Sequence, residues 1–256
     1  MSGTSHNEYL AAARLIAQSR HMVAFTGAGI STPSGIPDFR SAGTGLWRKN
    51  DPMLVASATA FHHHPQRFYD WLRPLLLTSQ HALPNPAHMA LAELECSGIL
   101  KTVITQNIDG LHQRAGSKLV IELHGSMQRF YCPVCHENSV NPDDVIATIL
   151  AESIPKCKQC GSVIRPDITL FEEGLPVDAW QQAEREINNA DLLLVAGSSL
   201  EVIPASSLPY EAYRNGCRII IVNLSSTYLD LHADVILRAD VAAGIPQIVQ
   251  ELKRLM

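Results

Sequence analysis

The stretch MVAFTGAGISTPSGIPDFR, residues 22–40, joins a short apolar run to a glycine-rich segment. Met22–Phe25 predicts a buried strand, and the glycines predict the turn that leaves it. Gly27 and Gly29 can adopt backbone angles closed to other residues and let a ligand approach the main chain. A helix beginning after them would offer free N–H groups to a phosphate. The segment indicates a nucleotide site. Asp38, Phe39 and Arg40 place an acid, an aromatic ring and a cation next to it.

The dinucleotide-binding pattern requires a third glycine, which is absent from this segment. Thr32 occupies the required position, and Gly35 comes too late. Glycine turns after strands are common in α/β proteins, so a plain strand-to-helix turn explains these residues equally well.

Composition narrows the class of protein. The chain has 256 residues, 46% of them apolar, and a net charge of −5. This charge argues against a dedicated nucleic-acid binder, and no apolar run is long enough to span a membrane. The N-terminal segment has neither a basic start nor an apolar core, so we expect no secretory signal and a cytoplasmic location.

Apolar runs and helical patterns alternate along the chain. Strands are predicted at Met22–Thr26, Thr102–Thr105, Leu119–Leu123, Asp191–Ala196, Arg218–Asn223 and Asp234–Leu237. Helices are predicted at Glu8–Ser19, Pro86–Ser97, Asp178–Asn189, Pro204–Asn215 and Val241–Leu255. This order predicts an α/β fold with a Rossmann-like parallel sheet and helices on both faces. Ligands of such sheets bind at the carboxyl ends of the strands.

Two segments interrupt the alternation and predict a smaller lobe. Residues 42–83 have a helical pattern broken by Pro52, Pro65 and Pro74, which predicts several short helices or loops. Residues 126–165 carry most of the cysteines. We therefore predict a main nucleotide-binding domain of residues 1–41, 84–125 and 166–256. The helical insertion 42–83 and the zinc-binding module 126–165 form the second lobe, with a substrate cleft between the lobes.

Four cysteines form two Cys-x-x-Cys pairs, Cys132/Cys135 and Cys157/Cys160, with 21 residues between the pairs. This spacing suits one tetrahedral zinc ion held by four thiolates. Two disulfides are disfavoured without a secretory signal, and a redox dithiol needs only one pair. Because four cysteines leave no open position, the zinc is expected to be structural.

Polar residues follow the predicted strands. Asn107 and Asp109 come after the second strand, where helix capping would also explain them. His124 ends the third strand, beside a glycine that we expect to clear space around it. The ordinary pKa of histidine lies close to neutral pH, which suits a general base. Gly197-Ser-Ser199 and Asn223 follow the next two strands and could contact a ribose, a phosphate or a purine.

Taken together, these motifs resemble the sirtuin family of NAD-dependent protein deacylases. The resemblance covers nearly the whole chain and rests on Gly27-Ala-Gly-Ile-Ser31, Pro37-Asp-Phe-Arg40, Thr105-Gln-Asn-Ile-Asp109, Leu123-His-Gly125, the four cysteines, Gly197-Ser-Ser199 and Val222-Asn223. It implies that NAD is consumed as a co-substrate when acetyl or longer apolar acyl groups are removed from protein lysines. The products would be nicotinamide and O-acyl-ADP-ribose.

The resemblance also implies roles for individual residues. The cofactor-binding residues would be Gly27, Ala28, Ser31, Asp38, Phe39, Arg40, Gln106, Asn107, Asp109, Gly197, Ser198, Ser199, Asn223, Leu224, Asp240 and Val241. His124, Asn107 and Asp109 would be catalytic. The acyl-lysine carbonyl oxygen would attack C1′ of the nicotinamide ribose. His124 would then act as general base on a ribose hydroxyl, and Phe39 would block re-attack by nicotinamide.

The substrate peptide would lie as an added strand between segments 168–174 and 200–204. Many relatives have Phe-Gly-Glu in the first segment, whereas Glu172 occupies the glycine position here. We expect this glutamate to impede the peptide or to favour basic sequences. Relatives that prefer acidic acyl groups carry a Tyr-x-x-Arg pair, which alignment from His64-Pro65 replaces with Leu72 and Leu75. An apolar acyl pocket is therefore expected, since an unpaired buried carboxylate is costly.

Three other functions remain open from the sequence. A mono-ADP-ribosyltransferase using the same NAD cleft would transfer label from NAD to protein. A hydride-transferring dehydrogenase would release no nicotinamide and fits poorly with the absent third glycine. A non-catalytic zinc and nucleotide-binding module would be insensitive to loss of His124.

Overall fold

The computed structural model describes residues 6–38, 50–136 and 140–256. Its strands are β1 (Met22–Thr26), β2 (Leu100–Thr105), β3 (Val120–Glu122), β4 (Gly125–Tyr131), β5 (Arg165–Ile168), β6 (Leu192–Ala196), β7 (Arg218–Val222) and β8 (Val235–Leu237). Six of them form a parallel sheet in the order β3-β2-β1-β6-β7-β8, while β4 and β5 pair in antiparallel fashion. The predicted α/β fold with a parallel sheet is confirmed.

The helices are α1 (His6–Gln18), α2 (Pro52–Val55), α3 (Ala58–His63), α4 (Pro65–His81), α5 (Pro86–Cys96), α6 (Leu111–Arg114), α7 (Pro142–Leu150), α8 (Val177–Asn189), α9 (Ser207–Arg214) and α10 (Val241–Leu255). Every helix predicted outside the two insertions is present, with its ends shifted by at most a few residues. Among the described residues, no helix is long and apolar enough to cross a membrane.

The sheet is buried on both faces because its central strands are apolar on both sides. In β1, Met22 and Ala24 pack on one face, and Val23 and Phe25 pack on the other. Helices α1, α5 and α10 cover the first face, and α8 and α9 cover the second. Successive strand residues point to opposite faces, so a continuous apolar run fits a sheet with helices on both sides.

The loops that leave β1 and β6 are packed backbone against backbone at the centre of the sheet. Gly27 N donates to Ala196 O at 3.2 Å, and Gly29 N donates to Gly197 O at 2.8 Å. A Cβ added to Gly29 would lie 2.8 Å from Gly197 O, and one on Gly197 would lie 2.3 Å from Ile30 N. Strand order reverses between β1 and β6, which is where open α/β sheets bind ligands.

The local structure after β1 differs from the sequence-based expectation in two respects. Gly27 is extended, with φ −133°, a conformation open to any residue. It is small because an added Cβ would lie 2.9 Å from that of Ser198. Two 3₁₀ turns, Ala28–Ile30 and Thr32–Ser34, replace the expected helix start, and Gly35 ends the second at φ 87°.

The two insertions share one apolar core. Phe68 and Tyr69 of α4 belong to the same buried cluster as Phe130 of β4 and Ile149 of α7. This common core supports a second lobe built from both insertions. The bounds of the domains stay a prediction; β5 itself begins at Arg165, the last residue of the predicted zinc module.

Helix α4 corrects two expectations. It continues through Pro74 for 17 residues, because its apolar face buries residues at helical spacing, including Leu72 and Leu76. This burial outweighs the hydrogen bond that the proline removes. Leu72 is fully buried in the lobe core, and Leu75 lines a separate cavity of about 390 Å³. The expected acyl-pocket role of Leu72 and Leu75 is not supported by these positions.

Candidate active site

A cavity of about 520 Å³ opens beyond the carboxyl ends of the central strands. The predicted site residues that line it are Gly27, Ala28, Asp38, Gln106, Asn107, His124, Gly197, Ser198, Ser199, Asn223, Leu224, Asp240 and Val241. Ser31 and Asp109 lie behind this lining and bond to it. Phe39 and Arg40 fall outside the described residues. The fold thus brings together residues from six separate stretches of sequence.

Ser31, Asn107 and Asp109 form a buried hydrogen-bonded group. Asn107 Nδ2 donates to Gly27 O and to Ser31 Oγ, both at 3.1 Å. Ser31 Oγ donates to Asp109 Oδ2 at 2.7 Å. Because Asn107 lines the cavity and the other two residues hold it from behind, the side chain of Asn107 has a fixed position.

Burial and hydrogen bonding have opposite effects on the pKa of the Asp109 carboxylate. Burial raises its pKa, while the hydrogen bonds from Leu111 N and Ser31 oppose that shift. Its Oδ1 accepts from Leu111 N, in the first residue of the short helix α6, at 2.9 Å, while the N-cap position of that helix is Gly110. The capping interpretation is therefore not confirmed, because Asp109 precedes the N-cap of α6 and that cap has no side-chain hydrogen bond.

His124 lies between β3 and β4, with a defined tautomer. Its Nδ1 lies 2.8 Å from Gln106 O. A carbonyl oxygen only accepts, so Nδ1 carries the proton of the neutral ring and Nε2 is free of one. Burial lowers the pKa of His124, and the bond to Gln106 partly offsets this effect. The imidazole is thus neutral near pH 7 and can accept a proton at Nε2.

Gly125, which follows His124, is required by the close approach of the backbone of β5. Its φ is 75°, and an added Cβ would lie 2.0 Å from Asp167 O on the paired strand β5. The expectation that this glycine clears space around the histidine stays a prediction. It allows β5 to approach closely and so fixes the start of β4.

The other end of the cavity is built mainly from backbone and helix-capping groups. Ser198 Oγ accepts from Gln106 Nε2 at 2.9 Å, which joins this end to the loop after β2. Asn223 Nδ2 donates to Ser198 O and Ser225 O, so the amide nitrogen is already engaged. Asp240 caps α10 through Ala242 N at 2.7 Å.

Two further segments line the cavity, residues 168–173 with Leu175 and residues 202–204. Phe171 pairs with the connection between α2 and α3: its N donates to Ala56 O and its O accepts from Ala58 N, both at 3.1 Å. The first segment is thereby fixed along one edge, while its residues also border the cavity.

Five apolar lining residues were missed by sequence reasoning: Ala56, Trp71, Ile108, Leu175 and Ala239. Trp71 comes from α4, and Ile108 lies between the two polar residues of the loop after β2. Only the helical pattern of α4 was readable from the sequence, and it gives no sign that Trp71 borders a cavity.

The four cysteines fit a zinc ion. Their sulfur atoms all lie within 4.8 Å of one another, and the Cys132–Cys160 and Cys135–Cys157 pairs are each 3.5 Å apart. A disulfide requires about 2.05 Å, whereas a tetrahedron with Zn–S bonds of about 2.3 Å separates the sulfurs by roughly 3.8 Å. Hydrogen bonds from Ser162 lower the pKa of Cys160 to about 6, which favours the thiolate that zinc binds.

The family model described as Sir2 family matches residues 27–204. The chain belongs to the Sir2 family. Over 250 residues this Sir2 family member is 46% identical to NAD-dependent protein deacylase 2 of Archaeoglobus fulgidus, covering 97% of this chain and 98% of the relative.

Solved structures agree with this assignment. One described as “Structural Basis for the Mechanism and Regulation of Sir2 Enzymes” has a TM-score of 0.92 and 45% identity, covering 98% of this chain and 100% of the other. A structure of Sir2Af2 bound to a myristoylated histone peptide has a TM-score of 0.83 and 40% identity, covering 98% of both chains. The fold and most of the length are therefore shared with Sir2 enzymes.

Proposed function

We propose that this Sir2 family member is an NAD-dependent protein deacylase that removes acetyl or longer apolar acyl groups from lysine side chains. The observation that carries the proposal is one cavity that joins a backbone-built nucleotide end to His124 and Asn107. The relative from Archaeoglobus fulgidus is named a deacylase, and a similar structure holds a myristoylated histone peptide. Both support the same chemistry here.

The residues present fit NAD as a co-substrate. Gly27 and Ala28 would face the pyrophosphate, and Ser198, Ser199, Asn223, Leu224, Asp240 and Val241 would hold the adenosine half. NAD supplies an activated nicotinamide–ribose bond, whose cleavage drives acyl transfer from lysine. Asp38 and Gln106 also line the cavity. Roles for Phe39 and Arg40 at the ribose and phosphates rest on the resemblance alone.

The catalytic side chains have the chemistry that the proposal needs. Asn107, held by Ser31, would orient the nicotinamide end, and Asp109 would support it from behind. His124 is neutral, with Nδ1 bound to a carbonyl, so Nε2 would take a proton from a ribose hydroxyl. General bases of this kind contribute about 10²- to 10⁴-fold to a rate.

The substrate peptide would bind as an added strand between segments 168–174 and 200–204. Phe171 already uses its backbone groups on the far side, with Ala56 and Ala58. Residues of both segments line the cavity, including Leu170 of the first and Val202 of the second. Extended peptides commonly bind as added strands through main-chain hydrogen bonds.

The acyl group would enter an apolar part of the cavity. Trp71, Ile108, Ile168 and Leu170 line it. An acyl chain that ends in a carboxylate would be costly to bury among such side chains. The preference for apolar acyl groups therefore rests on these residues instead of Leu72 and Leu75. A cytoplasmic location and the absence of nucleic-acid binding stay predictions from composition.

The decisive experiment incubates the protein with NAD and an acetyl-lysine peptide and measures nicotinamide and acyl-ADP-ribose by mass spectrometry. We expect both products, with kcat/KM for acetyl- and myristoyl-peptides above that for a succinyl-peptide. Label passing from NAD to protein while the acyl group stays on lysine would instead indicate an ADP-ribosyltransferase. The His124→Ala variant serves as the inactive control.

A further inference from the structure

Glu172 has a backbone conformation that side chains rarely adopt. Its φ is 76°, inside the left-handed region, although it is not glycine. It follows Phe171, the residue that pairs with the α2–α3 connection, and it lines the cavity. A residue held in this region is retained where surrounding contacts fix it, often at functional sites.

The contact that fixes Glu172 is a hydrogen bond across the two lobes. Its Oε2 accepts from Thr59 N at 2.9 Å, at the beginning of α3. Together with the two bonds between Phe171 and residues 56 and 58, this makes three consecutive links between the segments. A glycine at this position could adopt the same backbone angles but could not make the third link.

The neighbouring acid cannot provide this link. Glu173 forms a paired contact with Arg165, at 2.6 and 2.9 Å, and also accepts from Leu170 N. That contact holds the inner side of the segment to β5. Glu172 and Glu173 therefore hold the same segment from two directions, and they are not interchangeable.

We propose that Glu172 is a positioning residue for the peptide substrate, because its carboxylate fastens the 168–174 segment to α3 and so fixes the edge on which the peptide adds. This inference rests on the proposed deacylase function. It replaces the expectation that the glutamate meets the peptide directly, since Oε2 is bound to Thr59 N. A left-handed conformation, which glycine adopts readily, is here held by a side chain.

The test compares Glu172→Ala with Glu172→Gln. Alanine removes the link, whereas the glutamine amide oxygen can still accept from Thr59 N without the charge. We expect alanine to raise the KM for the acyl-peptide about fivefold, with kcat within twofold and the KM for NAD unchanged. Glutamine keeps all three constants within twofold. Glu152, an exposed glutamate also at positive φ but away from the cavity, gives the matched control Glu152→Ala.

Hydrogen exchange at the Thr59 amide reports on the link without any need for activity. We expect faster exchange in Glu172→Ala and wild-type exchange in Glu172→Gln. Equal peptide KM values for alanine and wild type would overturn the proposal. The proposal would also be overturned if alanine and glutamine raised the peptide KM equally and only for basic peptides. That result would indicate that the charge of Glu172 attracts the peptide. A wild-type protein that releases no nicotinamide would refute the deacylase function itself, whatever the exchange result.

Discussion

The Ser31 hydroxyl donates a 2.7 Å hydrogen bond to the Asp109 carboxylate across 78 positions of sequence. It joins the turn after β1 to the loop after β2, two neighbouring strands of the sheet. Asn107 donates to the same hydroxyl oxygen and is thereby held at the cavity. One serine thus orders two polar residues that the sequence suggests only as separate contacts.

Ser31→Ala should lower kcat/KM for NAD, because it removes one hydrogen bond from the buried Asp109 carboxylate and one from the Asn107 amide. Such losses cost about 1–3 kcal/mol, or roughly 5- to 150-fold in rate. Steady-state kinetics with saturating acyl-peptide measures the effect. Ser34→Ala, a nearby serine whose hydroxyl contacts only Asn85 among the described contacts, is the control. Equal kinetics in both variants would contradict the role of Ser31.

The pH dependence of kcat/KM should reflect the lowered pKa of His124. A general base works unprotonated, and burial moves the pKa of this histidine below its ordinary 6.5. The acidic limb that belongs to His124 is therefore expected below pH 6.5, with the rate falling as the ring takes a proton. Rate profiles from pH 5 to 8 would check this, and a limb centred above pH 6.5 would exclude the assignment. Replacing the exposed His63 by alanine should leave the profile unchanged.

Stability should fall as the pH drops below 6.5, because two buried histidines are kept neutral. The His88 and His112 rings lie 4.9 Å apart, and burial lowers their pKa values to about 4 and about 3. The unfolded chain takes up protons near pH 6.5, so unfolding gains about 1.4 kcal/mol per pH unit for each histidine down to about pH 4.

Urea unfolding at pH 7, 6 and 5 measures this slope. His88→Gln removes one of the two groups and should make the free energy of unfolding less dependent on pH. His63→Gln should retain the wild-type slope, because that histidine is exposed. Parallel slopes for all three proteins would show that the buried pair does not govern acid stability.

Chelation of zinc should destabilise the smaller lobe and thereby abolish activity. Cys132 and Cys157 belong to the same buried cluster as Phe130 and Ile149. Loss of the metal should therefore loosen that core and lower Tm by about 10 °C or more. Metal analysis should find one zinc per chain in the wild type and in Cys96→Ser, but none in Cys135→Ser. Full activity with all four cysteines replaced would refute this role.

The sheet, its flanking helices and the zinc cluster could be predicted because local patterns encode them. The apolar run at residues 219–222 and the two Cys-x-x-Cys pairs can be recognised without knowledge of distant residues. Pro74 gave a wrong boundary because the gain from burying one face of α4 depends on the other insertion, which packs against it. Burial between distant segments cannot be judged from one helix alone.

The residues of the site were easier to identify in the sequence than the structural role of each one. Gly29 and Asp109 stood out in the sequence, but the reasons for their positions lie in Gly197 and Ser31, far along the chain. Trp71 carried no signal, because an aromatic residue on an amphipathic helix is ordinarily part of a core. Only the fold gives the distances between segments, and these distances distinguish a residue that lines the cavity from one that belongs to a core.

The close packing of the Gly29 and Gly197 backbones makes one part of the cavity lining intolerant of substitution, while another part can vary. No side chain can be added at either glycine without displacing the two central strands, so the nucleotide end is closed to gradual variation. The lining proposed to hold the acyl-peptide consists of side chains such as Glu172, Trp71 and Leu170, each replaceable on its own. A lineage, or an engineer, can therefore change which acyl-protein is accepted while the co-substrate stays the same.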